Sequence, residues 1–133
     1  MNVQINRFTL EGCQCRLKFD PKELVELLHQ QLQEKAGKNT KHFDKTGGEL
    51  VIGGALTEID EGNFALHFML AFLGKARLAC RAKVSCNGKV IVDEMLTASA
   101  TCSCFTPGKS QLKYDTKLIA DQVIKKTVKA LRN

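Results

Sequence analysis

The sequence predicts an α+β domain with the order β-α-β-β-β-α, in which a mostly antiparallel four-stranded sheet carries two helices on one face. Three observations carry this reading. A capped, leucine-striped segment begins near Asp20, a strict apolar/polar alternation over 77–86 runs into Asn87-Gly88, and a lysine-backed amphipathic stretch closes the chain. With 133 residues the chain is read as one domain spanning 1–133. A chain of this length buries a hydrophobic core without needing disulfides or metal to fold.

The elements follow in order. Val3, Ile5, Phe8 and Leu10 alternate with polar residues, which predicts a first strand over 2–10, broken by Gly12-Cys13-Gln14-Cys15. Asp20 is a helix cap, Pro21 fits the first helical position, and Glu23 completes an Asp-x-x-Glu box. Leu24, Leu27, Leu28 and Leu32 form one stripe, and Gly37 suits the stop, so helix 1 is placed at 20–36. Residues 37–48 are polar and glycine-containing and read as a loop. Glu49 to Ile59 reads as a strand, with Gly53-Gly54 marking a bulge or a close backbone approach. Phe64 to Leu73 is almost wholly apolar but too short to span a bilayer.

After Gly74, Leu78, Cys80, Ala82, Val84 and Cys86 fall on one face, with Arg77, Ala79, Arg81, Lys83 and Ser85 on the other: a half-buried strand. A three-residue hairpin loop, Cys86-Asn87-Gly88, sets Val84 opposite Val90 and Ala82 opposite Val92, with the return strand over 89–102. The last helix is placed at 115–131. Ile119, Val123, Ile124, Thr127, Val128 and Leu131 face inward, and Lys117, Lys125, Lys126 and Lys129 face out.

The net charge of +6 draws the protein toward anionic partners, either a protein or an anionic membrane surface. One Tyr, no Trp and the absence of a dense basic run argue against nucleic acid. Oligomeric state is unspecified by the pattern. The N-terminus lacks a basic region followed by an apolar one, so a cytoplasmic setting is expected unless a leader has been removed.

Leu50-Val51-Ile52-Gly53-Gly54 leads into Thr57-Glu58-Ile59-Asp60-Glu61-Gly62-Asn63. Gly74-Lys75-Ala76, Asn87-Gly88-Lys89-Val90 and Ala120…Ile124…Val128 follow. This pattern resembles a bacterial family of small uncharacterised domains, many of them predicted lipid-anchored envelope proteins. The resemblance implies an accessory role at the cell envelope or periplasm. It implies no catalytic residues.

Two Cys-x-Cys motifs are the most pointed chemistry. Cys13-Gln14-Cys15 and Cys102-Ser103-Cys104 each sit at a strand-to-helix junction, and the two junctions share a sheet end if the strands run the same way. Four thiolates there suit Zn²⁺, or Cu(I) as a soft alternative. The alternatives are a disulfide between the motifs and plain burial of small apolar side chains, with burial ranked first. Cys80 and Cys86 fit burial, being too far apart on one strand to bridge. His29, His42 and His67 lie far in sequence from the Cys pairs, and Asp60-Glu61 reads as a polar turn, so no catalytic group is assigned. In the Phe64–Leu73 segment, burial in the core ranks first. The alternative is an apolar lip meeting a membrane or partner through Phe68, Phe72, Lys75 and Arg77. The expectation is a non-enzymatic binding or accessory domain with no cofactor. A small zinc-binding protein using Cys13, Cys15, Cys102 and Cys104 is the alternative.

Overall fold

A computed structural model describes residues 2–39, 41, 43, 47–60, 76–99 and 109–132. Among these the chain forms two helices and one mixed sheet of five strands, an α+β architecture. The strands are β1 (Asn2–Ile5), β2 (Gln14–Arg16), β3 (Glu49–Asp60), β4 (Arg77–Cys86) and β5 (Lys89–Ala98). The helices are α1 (Lys22–Lys38) and α2 (Lys109–Arg132).

The long ladders, β3–β4 and β4–β5, are antiparallel as expected. The N-terminal edge differs. β1 and β2 both pair parallel with β3, Asn2 opposite Glu49 and Arg16 opposite Asp60, with a single bridge from Thr9 to Ala55 between them. They are two halves of one interrupted strand, so the four expected positions in the sheet are filled by five strands. The parallel sense has a topological cause. α1 carries the chain back across the sheet, and a strand–helix–strand crossover returns the next strand parallel to the first.

Asp20 does cap α1: its Oδ1 accepts the Lys22 N–H at 3.0 Å and its carbonyl accepts Glu23 N–H at 3.1 Å. Leu24, Leu28, Leu32 and Ala36 form the buried stripe, with Val25 and His29 beside it and Leu27 only half-buried. Gly37 does not stop the helix. The helix runs to Lys38, and Asn39 ends it by donating its side-chain N–H to the Lys35 carbonyl at 2.7 Å and its backbone N–H to that of Ala36 at 3.1 Å. Within the expected polar loop, Phe43 is fully buried in the core.

The Gly53-Gly54 reading resolves into close approach. A Cβ on Gly54 would stand 2.1 Å from the Arg81 carbonyl oxygen, and the bulge lies instead between Leu56 and Glu58. The alternation of β4 holds over most of its length: Leu78, Cys80, Ala82 and Val84 are buried, while Arg77, Arg81 and Lys83 are exposed; Ala79, expected on the polar face, is buried as well, and Ser85 and Cys86 are both half-buried.

The hairpin corrects the expected register. Cys86 pairs with Lys89, so the loop has two residues, Asn87 (φ +53°) and Gly88 (φ +82°), a type I′ turn. A bulge then sets Val84 opposite Val92 and Ser85 opposite Val90, leaving Val90 exposed. Asn87 Oδ1 also accepts the Glu49 N–H at 2.8 Å, tying the turn to the start of β3.

α2 begins at Lys109 rather than 115; its added residues bury Gln111 and Leu112, and Asp115 and Thr116 are buried where the helix was expected to begin. Both helices lie on the face of the sheet that carries Leu50, Ile52, Leu78, Val84 and Leu96, and all of these join one core. Both helices follow strands of the same direction, so they run side by side and parallel. Lys113 lies near the N-terminal half of α1, and Lys35 pairs with Asp121 farther along.

Candidate functional site

Cys13 and Cys15 lie at the outer edge of the sheet, not past the end of a strand. The break falls one turn earlier, at Glu11-Gly12, where Gly12 has φ +74° and Cys13 N–H donates to the Leu10 carbonyl at 3.0 Å. The chain then rejoins β3 as β2, with Cys15 opposite Ile59. Residues two apart in extended chain project to the same side. Accordingly the two sulfurs are in contact, 3.1 Å apart. Cys13 is half-buried against the core and Cys15 is exposed. Burial pushes the Cys13 thiol up to about 12, with Cys15 and the Glu58 carboxylate acting in the same direction. Glu58 is itself paired with Arg77 of β4 at 3.6 Å.

Cys102 and Cys104 lie outside the described residues, so the four-thiolate arrangement is represented by one motif. The topology satisfies its precondition. β2, β3 and β5 run in one direction, and Cys15, Ile59, Leu78 and Ala98 form one row across the sheet. The chain therefore leaves β5 at the sheet end where Cys15 sits, at the opposite edge. Among the described residues no three His, Cys, Asp or Glu side chains gather into a metal-binding group.

Cys80 is fully buried in the core, and burial pushes its thiol up to about 12; Cys86 is half-buried at the far end of the sheet, opposite Leu50. His29 is packed between α1 and the core, with no hydrogen-bond partner for Nδ1 among the described residues. His42, His67, Phe68, Phe72 and Lys75 lie outside the described residues. Arg77 opens β4 on the open face of the sheet, half-exposed and facing Glu58. Among the described residues no helix is long and apolar enough to cross a membrane.

The structure adds a feature that sequence reading assigned to plain solvated surface. Near the C-terminal ends of the parallel helices lies a cleft of about 660 Å³. Lys35 and Lys38 of α1 face Lys125, Lys129 and Arg132 of α2 across it, above Ile124 and Val128. Lys35 is paired with Asp121, and Lys38 with Glu34 at 3.2 Å. Among the described residues Lys125, Lys129 and Arg132 have no carboxylate at ion-pair distance. The C-terminal ends of both helices carry partial negative charge, which holds these cations where they cluster. The signal was present in sequence as Lys125, Lys129 and Arg132 at helical spacing beside Ile124 and Val128. What was missing was the parallel packing that sets them against Lys35 and Lys38.

Compared with protein-family models, curated proteins and solved structures, the chain finds no match.

Proposed function

We propose that this protein is a non-enzymatic binding module that takes an acidic, amphipathic segment of a partner protein in the cleft between α1 and α2. The observation that carries the reading is the placing of five cations around an apolar floor at the shared end of two helices. Such an arrangement matches carboxylates on one face of a segment and aliphatic groups on the other. A concave cleft favours a peptide over a flat bilayer. Charge steers the encounter, and the Ile124–Val128 floor supplies the desolvated contact. An accessory role at a cell envelope belongs to the same proposal and rests on the family resemblance of the strand and glycine pattern.

The test uses a fluorescent amphipathic peptide of glutamate and leucine, with a lysine–leucine peptide and phosphatidylglycerol vesicles beside it. The acidic peptide should bind, and Lys125→Glu with Lys129→Glu should weaken it at least about tenfold. Raising salt from about 50 to about 300 mM should weaken it as well. Equal binding of both peptides would sink the reading. Vesicle binding without peptide binding would replace it with a membrane surface.

The contact between Cys13 and Cys15 favours a second reading, a small zinc-binding protein completed by Cys102 and Cys104. It predicts equimolar zinc on reduced protein, lost alike in Cys15→Ser and Cys102→Ser. Metal-free protein after purification with added zinc removes this reading.

A further inference from the structure

We propose that Cys13 and Cys15 form a reversible dithiol–disulfide couple within their own motif, in which exposed Cys15 exchanges with a disulfide of another molecule and Cys13 resolves the product. This is independent of the cleft. The sulfurs are already in contact at 3.1 Å, with one reachable from solvent and one shielded. That asymmetry is what an attacking and a resolving thiol need.

The backbone permits closure. Residues two apart in a strand are separated by about 6.6 Å between Cα atoms, inside the range that disulfides span. β2 is a three-residue segment at the sheet edge that pairs with β3 alone among the described residues, and the Gly12 turn precedes it. Drawing the two cysteines together therefore disturbs an edge and not the interior. The other described cysteines do not compete. Cys80 is fully buried, and Cys86 pairs with Leu50, nine residues along β3 from Ile59, about 30 Å from Cys15.

The oxidant is a low-molecular-weight disulfide such as glutathione disulfide. Cys15, having given its proton to solvent, attacks one sulfur of the oxidant. A Cys15–glutathione disulfide forms, and the first glutathione leaves as a thiolate that takes up a proton. Cys13 then loses its proton and attacks the Cys15 sulfur. The Cys13–Cys15 bond forms and the second glutathione leaves. Two protein thiols are oxidised by two electrons, and one glutathione disulfide is reduced to two thiols. Because Cys13 is half-buried against the core while Cys15 is exposed, the resolving step is the slower one.

Trypsin cuts after Arg7 and Arg16, so both cysteines leave in one peptide, Phe8–Arg16, free of any other cysteine. Reduced folded protein is incubated with glutathione disulfide at mildly alkaline pH, quenched with a thiol-blocking reagent, digested and weighed. Phe8–Arg16 should become two hydrogens lighter than its reduced form. Cys13→Ser should stall as a glutathione adduct on Cys15. Cys15→Ser should react at least about tenfold more slowly. The Cys102→Ser, Cys104→Ser double variant should give the native product, with folding of each variant checked by circular dichroism. A disulfide joining Phe8–Arg16 to a peptide holding Cys102 or Cys104 would overturn the proposal. So would a peptide that stays reduced in excess oxidant.

Discussion

Replacing Gly54 with alanine should cost about 4 kcal/mol, a large part of the stability of a domain this size. Gly54 sits in the middle of β3 with φ +154°, a conformation that side chains rarely adopt. An added Cβ would stand 2.1 Å from the Arg81 carbonyl oxygen and 3.1 Å from the Ala82 Cα. Both are backbone atoms of the central strand β4, which cannot move aside without breaking the ladder. The ring of Phe8, itself buried, closes the remaining side, 3.0 Å from the same point. Gly53 is the internal control. A Cβ there meets Asn6 Cβ at 3.5 Å, ordinary contact, so Gly53→Ala should shift stability by no more than about 1 kcal/mol. Urea denaturation of the two variants decides. Equal midpoints would mean that β3 and β4 do not approach as described.

Asp115→Asn should make the protein more stable at pH 8, by a margin that shrinks as pH falls toward 4. Asp115 lies on the inner face of α2, fully buried. Gln111, one turn earlier, donates to its Oδ1 at 3.2 Å, and Oδ2 has no partner among the described residues. Burial pushes the carboxyl up to about 7, against a smaller downward pull from Gln111. In the unfolded chain the same group ionises near 4. Between those values the folded protein holds a proton that the unfolded chain has released, so stability falls as pH rises. The contribution is complete below about pH 4 and is lost as pH passes through about 7. Allowing for residual solvent screening, the loss is about 2 kcal/mol. Asparagine cannot ionise and keeps an acceptor for Gln111, so its stability should stay level from pH 5 to pH 8. A variant whose denaturation midpoint falls with pH as steeply as the parent would show that another group governs the dependence.

What the sequence made legible was local. The Asp20 cap, the Leu24–Leu28–Leu32 stripe and the alternation of β4 each follow from residues a few positions apart, and each stands in the structure. Asn87-Gly88 identified the hairpin, but loop length fixes register, and a two-residue turn plus a bulge moved Val90 out of the core. The parallel pairing of β1 was not legible because it depends on where α1 returns the chain. Phe43 and Asp115 were missed for a related reason. A lone apolar residue in a polar stretch, or a lone carboxylate before an apolar stripe, shows its burial only once the neighbouring elements are in place. For the candidate sites, the Cys13–Cys15 contact was implicit in two-residue spacing on an extended chain. The cleft was not, because its two walls are far apart in sequence and meet only when the helices pack in parallel.

The way the N-terminal edge is built also bears on the order in which the molecule assembles. β4 and β5 meet across a two-residue turn, whereas each pairing of β1 and β2 with β3 joins residues 44 to 47 positions apart, as in Gln14 with Glu58 and Asn2 with Glu49. Closing the larger loop costs more chain entropy and returns little until α1 has docked. The hairpin is thus the natural nucleus, and the N-terminal edge is the last part to join and the first to open. The thiol pair sits on that late-joining segment. Local opening of the edge would bring the shielded Cys13 into solvent without unfolding the core, so the rate at which the pair reacts would report on the fraying of one strand.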